Sequence, residues 1–157
     1  MLLTMEQLWL KGAVCIENIV YGMKHFHNRT ERYSAHEAGN VMREMWTSDK
    51  TEESYVDFYY LILEEDAKKA VRSVLTEQEI CYLMTMEKEI LSQMDLETMR
   101  EQKAVIFPLN FELLKIAAKL NEKEMLFSTF YFIGEETSTW WGNYDQEYII
   151  FTKSCPV

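Results

Sequence analysis

The sequence predicts an α+β fold in which an N-terminal bundle of about five helices packs on a C-terminal three-stranded antiparallel meander. Two patterns carry this expectation. Up to residue 124, apolar side chains recur every three or four positions behind helix-capping residues; from Met125 onward they alternate with polar ones. Size and composition add a bound: 157 residues, 48% hydrophobic and 27% charged, with only five Gly and two Pro, allow one continuous core and exclude a disordered or collagen-like chain. One domain over 1–157 is expected.

Taken in order, Thr4 with Gln7 forms a capping box, and Trp9, Ala13, Ile16, Val20 and Met23 then mark one face of a long first helix, weakened at Gly12 and Gly22 and ending near His27 to Thr30. Ser34 with Glu37 opens a second helix through Val41, Met42, Met45 and Trp46. Asp49 with Glu52 reads as the start of a third, running through Tyr55 to Leu63 into the amphipathic stretch Ala67 to Val74. The aromatic and β-branched run YVDFYYLIL also fits a strand that feeds a helix at Glu64. Thr76 with Glu79 caps a helix whose inward stripe is Ile80, Leu83, Met84, Ile90, Leu91 and Met94. Asp95 caps a short turn of helix that ends before Pro108, and Asn110 caps FELLKIAAKL. The meander follows as FSTFYFI, TSTWW and EYIIF, with Gly134, Gly142 and Asn143 available for positive φ in its turns.

The charge balance excludes several function classes. A net charge of −10 at pH 7 repels phosphate backbones and anionic lipid, so a basic protein partner is expected and nucleic acid is not. No run of 18 apolar residues escapes interruption by Glu17, Lys24, Asp57 or Glu64, so no membrane span is expected, and Glu6 and Glu17 break the pattern of a secretory signal. Three widely spaced cysteines, Cys15, Cys81 and Cys155, lack a CxxC pair and suit a reducing cytoplasm; the first two fall in apolar helical patterns and read as buried.

Chemistry-bearing motifs are sparse. His25 and His27, with His36 and Glu37 beyond them, have the residue types of a zinc site, but side chains two apart on a helix diverge, so no metal or cofactor is expected. The acidic run Glu64, Glu65 and Asp66 diverges for the same reason. No nucleophile elbow, P-loop, dinucleotide fingerprint or HExxH pair occurs.

The residues best suited to recognition lie on the meander. Trp140 and Trp141 are adjacent and so occupy opposite faces of a strand, and helices are expected to cover only one face of that sheet. One Trp is then left for a partner, beside Tyr144, Asp145, Glu135 and Glu136. The stretch TWWGNYDQEYIIF, following FSTFYF in a small acidic chain, resembles the C-terminal part of some bacterial immunity proteins. That resemblance implies a cytosolic inhibitor that binds a toxin domain and does no chemistry of its own. The expectation is therefore a non-catalytic inhibitor that occludes a basic partner; a small metal-dependent hydrolase or other enzyme using His25, His27, His36 or the acidic groups, or a structural or regulatory subunit of an assembly, are the alternatives.

Overall fold

The computed structural model describes residues 2–48, 50–103 and 105–153. Its centre is a six-stranded antiparallel sheet with strands in the order β1-β6-β5-β4-β2-β3: β1 (His27–Arg32), β2 (Thr51–Asp57), β3 (Ile106–Pro108), β4 (Thr129–Gly134), β5 (Ser138–Gly142) and β6 (Glu147–Thr152). Among the described residues seven α-helices surround it: α1 (Met5–Leu10), α2 (Ile19–His25), α3 (Ala35–Thr47), α4 (Glu65–Arg72), α5 (Glu77–Leu91), α6 (Leu96–Gln102) and α7 (Phe111–Glu122). The expected five-helix bundle on a three-stranded meander is thereby overturned. β4, β5 and β6 do form the meander, but it is the middle of a larger sheet.

Both extra flanks come from segments read as helix or as polar linker. Thr51–Asp57 pairs with β4 through Val56 opposite Phe130 and with β3 through Val56 opposite Phe107, so the aromatic and β-branched residues of this segment gain two strand neighbours. Two ladders outweigh the local helical preference that was expected over Tyr55 to Leu63. A single 3-10 turn at Tyr60–Ile62 and helix α4 follow. The expected cap at Asp49 lies outside the described residues. On the far side, His27–Arg32 pairs residue for residue with β6, from His27 opposite Thr152 to Arg32 opposite Glu147. Its composition, HNRTER, suits a solvent-facing edge, and the opposite edge is three residues long and ends in Pro108.

The first helix is also shorter than the apolar stripe suggests. Gly12 takes φ 96°, which ends α1, with the Ala13 N–H donating back to the Leu8 carbonyl, and the chain through Ile16 then lies outside any helix against the sheet, where the Thr139 hydroxyl donates to the Val14 carbonyl at 2.6 Å. Asn18 restarts helix by accepting from the Tyr21 N–H.

The alternation of strand side chains then produces three layers. Val56, Phe130, Phe132, Trp140, Tyr148 and Ile150 face α3 to α7, where Met42, Leu83, Met99 and Ile116 complete the main core. Tyr55, Tyr131, Ile133, Ile149 and Phe151 face the other way, onto Leu3, Leu8, Val14 and Ile16 of the N-terminal layer. The second sheet face is therefore covered, contrary to the expectation of an open one. The α5 stripe is narrower than read: Leu83 is buried but Met84 is 62% exposed, and Cys81 is exposed too.

Gly134 and Gly142 serve close approach and not positive φ, which the β5–β6 turn takes at Asp145 and Gln146. A Cβ on Gly134 would overlap the Lys50 carbonyl oxygen and come within 2.9 Å of the Glu52 nitrogen, at the register shift of β2. Gly134→Ala is expected to cost about 1–3 kcal/mol, since backbone on both strands must move. A urea unfolding midpoint equal to that of the parent would contradict it.

Candidate functional site

The residues expected to bind a partner do not form one patch. Trp140 is only 1% exposed; its ring lies 5.9 Å from that of Tyr33 and its indole N–H donates to the Ser138 hydroxyl. Trp141 is half-buried and packs from the other sheet face on the cluster of Val14, Ile16, Ile149 and Phe151. Glu135 and Glu136 are exposed at the turn before β5, where Glu136 pairs with Lys50 at 2.9 Å. Tyr144 and Asp145 are exposed at the turn after it, and the Tyr144 ring meets Phe127 edge-on at 4.9 Å. A five-residue strand separates the two groups by roughly 15 Å, from the rise of an extended chain.

The histidines stay apart as well. His25 ends α2 against the Tyr21 ring, His27 opens β1, and His36 lies on α3 next to Asn40. Among the described residues no three His, Cys, Asp or Glu side chains converge as a metal site would require. The acidic run is absorbed at the start of α4: Glu65 pairs with Arg72 at 2.7 Å and Glu64 with Arg100 at 3.5 Å. No helix among the described residues is long and apolar enough to cross a membrane.

The structure instead assembles a cavity of about 360 Å³ where β2 ends, β4 begins and β5 ends, roofed by the N-terminal layer. Its walls carry the rings of Tyr59, Phe127, Tyr131 and Trp141 and the carboxyls of Asp57 and Glu17. Among the described residues no Lys, Arg or His lines it. Each wall follows from the fold. Asp57 is the last residue of β2, and the Thr129 N–H opening β4 donates to its Oδ1 at 2.6 Å. Tyr131 reaches the cavity from the sheet face opposite the main core, and Trp141 does so by the alternation that buries Trp140. Gly142, next to Trp141, lets β5 lie close on Asn121 and the Ser128 carbonyl, which a Cβ there would press on.

Asp57 is electrostatically unusual. Desolvation by the surrounding rings and strands pushes its carboxyl up from 3.8 to about 7, against the opposing pull of the Thr129 backbone and hydroxyl. Burial likewise raises the phenols of Tyr59 and Tyr131 and the thiol of Cys15, with Asp57 adding to the first two. Glu79 makes the contrast. It is 2% exposed, so burial works against its charge, yet the Lys119 ammonium at 2.6 Å and the Thr76 N–H outweigh that and hold its carboxyl below the usual 4.5. Among the described residues Asp57 has no such cation. The one sequence signal for it was a single acid inside YVDFYYLIL, a run otherwise aromatic and aliphatic.

Beside this cavity, and sharing Met5, Ile16 and Glu17 with it, lies a groove on the N-terminal layer lined also by Glu6, Trp9 and Tyr21. Its neighbourhood is where large apolar side chains meet solvent: Trp9 is 64% exposed, Leu10 69%, Val20 72% and Met23 48%. Such a concentration is uncommon on a surface with no partner. Glu6 and Glu17 form no ion pair among the described residues. No protein-family model matches the chain, and neither a curated protein nor a solved structure matches it.

Proposed function

We propose that the protein is a non-catalytic binding module of the immunity type, which neutralises a basic partner protein by occlusion, and that α1, α2 and the segment between them face that partner. The observation that carries this reading is the groove in which exposed Trp9, Met5 and Tyr21 stand with the carboxylates of Glu6 and Glu17, which pair with no cation among the described residues. Aromatic and Met side chains supply the buried anchor of an interface, and carboxylates on a chain of net charge −10 select a basic surface and speed its approach. Contact through a face also agrees with the sheet edges, since polar β1 and the short β3 are poor templates for an added strand.

A protein encoded by an adjacent gene is the natural probe. Expected results are a complex in calorimetric titration, loss of that protein's toxicity on co-expression, and affinity at least about 30-fold weaker in Trp9→Ser, the size of a central aromatic anchor. Trp9 is mostly in solvent, so the unfolding midpoint of the variant should stay that of the parent. Full affinity in Trp9→Ser would move the interface off the N-terminal layer.

A further inference from the structure

We infer that the cavity between the ends of β2, β4 and β5 is a receptor for an alkylammonium group, the chemistry of a lysine side chain, with Asp57 as counter-ion and the rings of Tyr59, Phe127, Tyr131 and Trp141 as its walls. The inference rests on the binding-module reading in one respect: the lysine is taken to come from the partner protein seated on the adjoining groove.

Three features lead there. First, the wall composition is that of a cation site, because aromatic faces attract a desolvated cation and two carboxyls, Asp57 and Glu17, line the cavity, with no basic residue among the described ones to compete. Second, Asp57 is a half-buried carboxyl in a desolvating setting that accepts from the Thr129 N–H, whereas the fully buried carboxyl of Glu79 is supplied with Lys119. An incoming ammonium would complete at Asp57 what Lys119 completes at Glu79. Third, the volume of about 360 Å³ falls within the span of small-ligand sites, roughly 300–1,000 Å³, and the cavity opens toward Glu17 and Met5 at the exposed groove. Ammonium is favoured over guanidinium by the Asp57 geometry. Thr129 already occupies Oδ1, so the two-pronged face that a guanidinium matches is half taken, while a point-like ammonium needs one oxygen.

Binding needs Asp57 ionised. The groups facing it are Tyr59 from the turn after β2, Tyr131 from β4, and Glu17 from the N-terminal layer, with Cys15 beside Tyr131; the two phenols and the thiol are all shifted upward and stay neutral between pH 6 and 8. With the carboxyl near 7, about nine-tenths is ionised at pH 8 and one-tenth at pH 6, so affinity should fall about tenfold between them.

The test is titration of the full chain with n-butylamine, followed by ¹H–¹⁵N spectra at the Thr129 amide and Trp141 indole. Expected are saturable shifts at pH 8 with an affinity in the millimolar range, about tenfold weaker binding at pH 6, weaker binding of n-butylguanidine, and none of n-pentanol. Asp57→Asn should abolish the shifts, and Glu17→Gln, at the mouth, should weaken them several-fold at low salt without touching the fold. A capped Leu-Lys-Leu peptide that binds more tightly than n-butylamine would assign the lysine to a protein chain; weaker binding would assign the cavity to a free amine and overturn that part. Equal shifts with n-pentanol, or undiminished amine binding in folded Asp57→Asn, would overturn the cation site. Amine binding by a chain that forms no complex with the protein of the adjacent gene would instead remove the binding-module reading and leave the cation site standing.

Discussion

Trp140→Ala is expected to lower stability by about 3–5 kcal/mol, the usual result of emptying a large aromatic site in a core. The indole is 1% exposed and is bounded by Tyr33 at 5.9 Å, Phe132 at 6.1 Å and Tyr148 at 6.1 Å, rings held by two strands and the loop before α3. Phe132 and Tyr148 are anchored in the sheet ladders and cannot collapse into the space. The Ser138 hydroxyl, itself buried, loses the indole N–H that donates to it at 3.1 Å. In a domain of this size the melting temperature should drop by roughly 10 °C or more. Thermal melts followed by circular dichroism would check this, and a melting temperature within a degree or two of the parent would show that the indole is not a core element. Trp141→Ala, on the other sheet face and half-buried, should cost less and act mainly on the cavity.

Asp57→Asn should stabilise the protein at pH 8. The folded carboxyl lies near 7 against 3.8 in its ordinary setting, because burial opposes its charge. The folded state therefore holds a proton that the unfolded chain gives up between about pH 4 and pH 7. Over that window stability falls as pH rises, by about 1.4 kcal/mol per unit of pKa difference, and the loss is complete above pH 7. The variant lacks the ionisation and retains an oxygen to accept from the Thr129 N–H. Its advantage should thus be near zero below pH 4, grow to the order of 4 kcal/mol at most by pH 8, and be trimmed by whatever water enters the cavity. Urea unfolding of both proteins at pH 4 and pH 8 measures it. An Asp57→Asn protein less stable than its parent at pH 8 would mean that the carboxylate is solvated or paired in the native state. Stability given up at one half-buried, desolvated acid, in a chain with surface acids to spare, is also what a binding residue is expected to show.

How much of this molecule is legible without its tertiary structure depends on how local each interaction is. The starts of α1, α3, α5, α6 and α7 follow from Thr4, Ser34, Thr76, Asp95 and Asn110, because each cap bonds an N–H three residues on and needs no distant partner. The meander is legible for a similar reason: β4, β5 and β6 are neighbours in sequence, and their alternation sends Trp140 and Trp141 to opposite faces. What needed the tertiary structure is long-range. Thr51–Asp57 becomes a strand because β3 and β4, some 50 to 80 residues away, offer it ladders, and HNRTER becomes one because β6 does. The apolar stripe from Trp9 to Met23 breaks at Gly12 because the sheet's second face offers Val14 and Ile16 more burial than a solvent-side helix would. The same holds for the site. Asp57 is one acid in an aromatic run until β4, β5 and the N-terminal layer close around it, and only that closure removes the water that would have kept its carboxyl ordinary.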